Sequence, residues 1–105
     1  MSATFSGGGT ASVAVNLAAS GQIIAAPGAG KKIRVYGVNV VTRVDNDIKF
    51  QSAGNDVTGP LPCKAGGGVA WSSVRPLFEC NINEALNLNL TVANTVGGVL
   101  QYDVV

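Results

Sequence analysis

Leu86, Leu88, Leu90 and Val92 alternate without a break with Asn87, Asn89, Thr91 and Ala93. Period two over eight residues marks a strand with one face in a core and the other in water, so this stretch commits the chain to sheet. Asn94, Gly97 and Gly98 are expected to supply the next turn, because they tolerate positive φ where a larger side chain would be strained. Val99 to Val105 then returns with Leu100, Tyr102 and Val104 on one face. The expectation is a C-terminal hairpin covering one wall of a β core.

The rest of the chain fits around that hairpin. Ala11, Val13, Val15 and Leu17 alternate with Ser12, Ala14 and Asn16, and Ser20-Gly21 turns the chain towards Ile23 and Ile24. Lys32 to Val44 is the longest strand candidate, and its apolar side chains change parity: Ile33 and Val35 lie on one, Val38, Val40 and Val44 on the other. An extra residue at Gly37, a β-bulge, would return the later valines to the core face. The alternative buries both faces, one in the core and one against a neighbouring subunit. Asp45-Asn46 reads as a tight turn leading to Ile48, Phe50 and Ser52, in a hairpin with the preceding strand. Ala53 to Asp56 makes a further turn. Val57 to Cys63, interrupted by Gly59-Pro60 and Pro62, fits only an edge strand or an extended crossing. After Gly66-Gly67-Gly68, Val69 to Trp71 approach a loop at Ser72 to Pro76, and Leu77 to Cys80 forms a short strand.

About eight short strands separated by Gly, Pro, Asn and Asp, with no stretch of helical period, predict an all-β protein: a jelly-roll-like antiparallel β-sandwich. Residues 11–105 make a single domain. Residues 1–10 carry three consecutive glycines with Phe5 among small polar side chains, and read either as a frayed terminus or as an arm that orders on a partner.

Charged residues make up 12% of the chain, about half the usual ~25%, so little charge is left to keep every surface in water. Part of that surface is expected to be covered. A net charge of +1 with no basic stripe argues against nucleic acid as a partner. The N-terminus lacks the basic and long apolar segments of a signal peptide, and no apolar run approaches the ~20 residues that span a membrane. These features predict a soluble product of a cytoplasm, without a membrane partner. Cys63 and Cys80 are then expected to be buried structural thiols, with a late disulfide as the alternative.

Histidine is absent, which removes the usual general base and the commonest metal ligand. The six carboxylates show no recognisable paired spacing; Glu79 and Glu84 flank a loop without a marked sugar cleft. No enzyme, cofactor or metal is expected. Pro27-Gly28-Ala29-Gly30-Lys31-Lys32 glances at a phosphate-binding loop, but Ala25 and Lys32 stand where the motif needs Gly and Ser or Thr, and a strand follows instead of a helix. It reads as a surface loop. Asp45-Asn46-Asp47 lacks the glycine and distal Glu of a calcium loop. Asn89-Leu90-Thr91 matches a glycosylation sequon but lies mid-strand. Trp71 beside Arg75 and Phe78 is a candidate ligand platform, although the end of the core is the favoured place for a lone Trp. Asn81, Asn83, Asn87 and Asn89, amides of like parity with no charge among them, form either a solvated face or a hydrogen-bonding face against a partner.

Four stretches carry a resemblance. Gly30-Lys31-Lys32-Ile33-Arg34-Val35-Tyr36-Gly37, then Ile48-Lys49-Phe50-Gln51-Ser52 with Thr58-Gly59-Pro60, then Glu84-Ala85-Leu86-Asn87-Leu88-Asn89-Leu90, are similar to the small jelly-roll proteins of tailed bacteriophages. Those relatives are capsid decoration, or cement, proteins and comparable head or tail appendages, often trimeric. The resemblance spans about residues 30 to 105 and implies a virion protein on the capsid surface, made in the host cytoplasm. It would bind the major capsid protein of its phage and bridge capsomers as a homotrimer. The arm, through Thr4, Phe5 and Ser6, is then the candidate capsid contact. Tyr36, Val38, Val40, Asn87 and Asn89 are the candidate trimer contacts. A receptor- or carbohydrate-binding tip domain of a tail fibre or head fibre is the alternative.

Overall fold

The computed structural model describes residues 11–105, and every regular element among them is a strand. In chain order these are β1 (Ala11–Leu17), β2 (Gly21–Ile24), β3 (Ile33–Thr42), β4 (Asn46–Ser52) and β5 (Asn55–Asp56). β6 (Leu61–Cys63), β7 (Gly68–Ser72), β8 (Phe78–Glu79), β9 (Leu86–Leu90) and β10 (Val96–Val104) follow. One antiparallel sheet has the order β1-β10-β3-β7, with β8 also paired to β3; the other has β2-β9-β4-β5, with β6 also paired to β4. The chain passes back and forth between the sheets, which gives the jelly-roll-like sandwich expected from its turn spacing.

Both expected hairpins are corrected by this topology. β3 pairs with β10, β7 and β8, whereas β4 pairs with β9, β5 and β6 in the opposite sheet. β9 and β10 are likewise in opposite sheets, so the links at residues 43–45 and 91–95 are arches between layers. Alternation specifies which face of a strand is apolar, and that face meets the core whether the next strand lies beside it or across from it. Gly97 and Gly98 lie within β10 instead of in a turn.

The parity change in β3 is a bulge. Gln101 stands opposite Gly37 and Tyr102 opposite Val35, leaving Tyr36 as the extra residue. Ile33 and Val35 before it, and Val38, Val40 and Thr42 after it, consequently all turn inward and are buried. From the other sheet Ile48, Phe50, Leu86 and Leu88 meet them, each fully buried, as are Val96 and Leu100 of β10. Burying an aliphatic or aromatic side chain of this size contributes about 1.5–3 kcal/mol, so this interior is the main source of stability. Phe50 stacks on Phe78 with ring centroids 5.1 Å apart, tying the short β8 to the core.

Polar side chains close the ends of the sandwich, Thr42 and Ser52 among them buried. Thr42 Oγ1 donates towards the carbonyls of Lys64 and Gly67, both at 3.2 Å. Ser52 Oγ donates to Glu84 at 2.6 Å and accepts the Asn81 N–H at 2.9 Å. Ser20 Oγ accepts the Leu90 N–H at 2.7 Å and so ties the β1–β2 turn to β9. Cys63 and Cys80 are buried free thiols, as expected, and burial pushes both above the ordinary thiol range.

Candidate interaction surface

The inward positions of the first sheet determine by elimination which residues face out. Cross-strand partners share a face, so the register gives three outward rows: Ser12, Gln101, Gly37, Ser72; Ala14, Val99, Asn39, Ala70; and Asn16, Gly97, Val41, Gly68. None of the twelve is charged, and most are small. Val41 is 48% exposed and Val99 41%.

Close contact of β3 with both neighbouring strands depends on glycine. A Cβ at Gly98, where φ is +155°, would stand 1.9 Å from the Asn39 carbonyl oxygen, and one at Gly68 would stand 1.8 Å from that of Val40. β3 is thus flanked on both sides by residues that admit no side chain. Shallow depressions mark this side of the sheet, one lined by Asn39, Ala70, Trp71 and Val99 among others, the next by Val41, Arg43, Thr95 and Gly97.

Charge begins at the borders of the face. The next row beyond the bulge is Asp103, Arg34 and Glu79 across β10, β3 and β8. Glu79 is hydrogen-bonded by Arg34 Nε and lies 3.4 Å from Lys32 Nζ. Those cations hold its carboxyl below the usual range, Arg34 contributing most. At the opposite end stands the exposed Arg43. Depletion of charge at the centre, with charge at two ends, matches the charge-poor core of a protein–protein contact surface.

The outer face of the second sheet differs. Asn89 is opposite Lys49, and Asn87 is opposite Gln51 and beside Gln22. Lys49 Nζ donates to Asp56 at 3.1 Å and Gln51 Nε2 to the same carboxylate at 2.8 Å. Asn87 Nδ2 donates to the Ala53 carbonyl at 2.7 Å. The asparagine row therefore shares its face with charge, which the sequence reading had not anticipated because Lys49 lies forty positions away.

The other candidate residues are dispersed. Val38 and Val40, proposed as trimer contacts, are each 1% exposed and pack in the core, so they are corrected to core residues. Tyr36, at the bulge, is half-buried, as are Asn87 and Asn89. Trp71 does not fill the end of the core: it is 41% exposed on edge strand β7. Trp71 and Arg75 line separate depressions, the first with Ala70, Ser72 and Leu77, the second with Arg34, Pro76, Phe78 and Glu79. Thr4, Phe5 and Ser6 lie outside the described residues. Glu79 and Glu84 are engaged by different partners, Glu84 by Ser52 and Asn81.

The twelve-position face was missed from sequence because its signal is divided among four strands. The clue was present in β3 and β10, whose residues of opposite parity to the core, Asn39, Val41, Gly97 and Val99, carry no charge.

Fold and surface together define a β-sandwich domain with one uncharged outer face that ends in charge at two opposite ends. No family model matches the chain, and no curated protein or solved structure does.

Proposed function

We propose that the protein is a structural subunit that decorates the outer surface of an assembled phage capsid and stabilises it by bridging neighbouring capsomers. Its partners in this reading are the major capsid protein and further copies of itself. The observation that supports it best is the uncharged outer face of the first sheet, bounded by Asp103, Arg34 and Glu79 at one end and Arg43 at the other. A subunit that binds only the closed lattice stabilises that lattice by mass action.

A homotrimer is part of the same proposal and rests on less. Low overall charge supports it. The mixed parity of β3 now belongs to the bulge, and the asparagine row shares its face with Lys49, so neither adds support.

Co-sedimentation of purified protein with undecorated capsids tests the reading, with particle imaging to locate bound copies. Val41→Lys and Val99→Lys, both at exposed positions, are expected to weaken attachment at least tenfold while leaving the fold intact. Removal of residues 1–10 is expected to weaken attachment without changing folding or oligomeric state. Full attachment by both lysine variants would exclude this face as the seat, and absence of the protein from the shell would exclude the reading. Light scattering is expected to give three chain masses or a multiple of three.

The exposure of Trp71 on an edge strand favours a second reading, a receptor- or carbohydrate-binding tip domain. Loss of glycan binding in Trp71→Ala, with the protein imaged on tails or fibres, would support that alternative.

A further inference from the structure

Strand edges are where a sandwich exposes unpaired backbone donors and acceptors, and proteins blunt them with short strands, proline, charge or bulges. In this molecule most edges are blunted. β2 has four residues and a register shift between Gln22 and Ile24. β5 has two residues, and β6 has three, including Pro62. The far edge of the first sheet is divided between β7, five residues long, and β8, two residues long. β1 is the exception: seven residues in unbroken register with β10, without charge or proline, and with no described strand on its other side.

We propose that β1 of one copy pairs antiparallel with β1 of a second copy about a two-fold axis centred on Ala14, joining the two first sheets into one. The strand is self-complementary in that register. Ala14 meets Ala14, Ser12 meets Asn16, Val13 meets Val15 and Ala11 meets Leu17. Each pair keeps inward residues with inward and outward with outward, and centring on Ala14, the midpoint of Ala11–Leu17, pairs the whole strand with its copy. Val13 and Leu17, only partly buried at this edge, gain apolar neighbours. No like charges face each other across the axis, because the strand carries none.

Area gives the contact a use. From strand spacing and rise, twelve outward positions cover roughly 400 Å². A stable protein–protein contact needs about 800 Å² on each partner. One face falls short by about half, whereas two faces made continuous through β1 reach that size. The pairing itself stands apart from the capsid reading; only its role in widening the seat rests on that reading. If the three-fold unit also forms, the β1 contact links one trimer to the next.

Cysteine cross-linking of the full chain tests the register directly. Opposite residues of an antiparallel pair have Cα atoms about 4.5–5.5 Å apart, inside the range a disulfide spans. Ala14 is exposed, so Ala14→Cys is expected to fold and, under mild oxidation, to run mostly as a covalent dimer on a non-reducing denaturing gel. Ser12→Cys alone is expected to stay monomeric on that gel, and Ser12→Cys with Asn16→Cys to cross-link. Failure of Ala14→Cys to cross-link, or equal cross-linking of Ser12→Cys alone, overturns the proposal. Hydrogen exchange of the native chain is a second check: β1 amides are expected to exchange slowly and to accelerate on dilution. Concentration-independent exchange also overturns it. Cross-linking without attachment to capsids would instead overturn the decoration reading, and attachment without cross-linking would leave that reading standing alone.

Discussion

Asn46 and Val92 hold each other by two reciprocal hydrogen bonds. Asn46 Nδ2 donates to the Val92 carbonyl at 2.8 Å, and Asn46 Oδ1 accepts the Val92 N–H at 3.1 Å. Asn46 is 4% exposed at the start of β4, while Val92 lies just past the end of β9. The amide side chain thus extends the β4–β9 ladder where the main chain leaves to cross to the other sheet.

Asn46→Ala should cost about 1–3 kcal/mol, the sum expected for two hydrogen bonds with one partner left behind. Urea denaturation would measure it. A loss below a few tenths of a kcal/mol would show that water replaces the amide without penalty.

Gly98→Ala and Gly37→Ala should differ sharply. At Gly98 the new methyl would meet the backbone of Asn39 and Val40, at 1.9 and 2.7 Å, so β3 and β10 must part. At Gly37 its nearest contact is Gln101 Oε1 at 2.8 Å, the end of a flexible side chain. A loss above ~3 kcal/mol is expected for the first and below ~1.5 kcal/mol for the second. Thermal unfolding of both variants ranks them, and equal losses would contradict the close strand approach.

Glu79 makes stability depend on pH in one direction. Arg34 and Lys32 lower its folded pKa below the ordinary 4.5, so its contribution is present above that value and lost as pH falls through the folded pKa. Glu79→Gln should therefore be less stable than the parent at pH 7, with the gap closing in acid. Denaturation across the acid range would check this; a gap that does not narrow as pH falls would contradict it.

Cys63 and Cys80 should react slowly with a thiol reagent in the native protein and fully after denaturation, because burial removes both access and thiolate. Two thiols titrating only in denaturant is the expected result. Rapid native reaction of either would show that its end of the sandwich opens.

Much of the sandwich was legible in the residues because alternation is local. Leu86, Leu88 and Leu90 specified the inward face of β9, and Val13, Val15 and Leu17 that of β1. The parity change beside Gly37 announced a bulge, and Pro60 with Pro62 announced an edge. Such signals arise from a strand's own side chains and backbone, so no knowledge of neighbours is needed to read them.

Partner choice was decided only by the tertiary structure. β3 and β4, like β9 and β10, are consecutive strands with apolar faces, and each face is satisfied equally by a hairpin or by an arch across the core. Which of these forms depends on how the ten strands of the described residues share one interior. The same holds for the outer surfaces: Lys49 joins Asn89, and Val41 joins Val99, only through the register of strands far apart in sequence. Alternation within each strand gives it an inner and an outer side. The lateral order of the strands, a long-range property of packing, decided which outer sides add up to a charged face and which to an uncharged one.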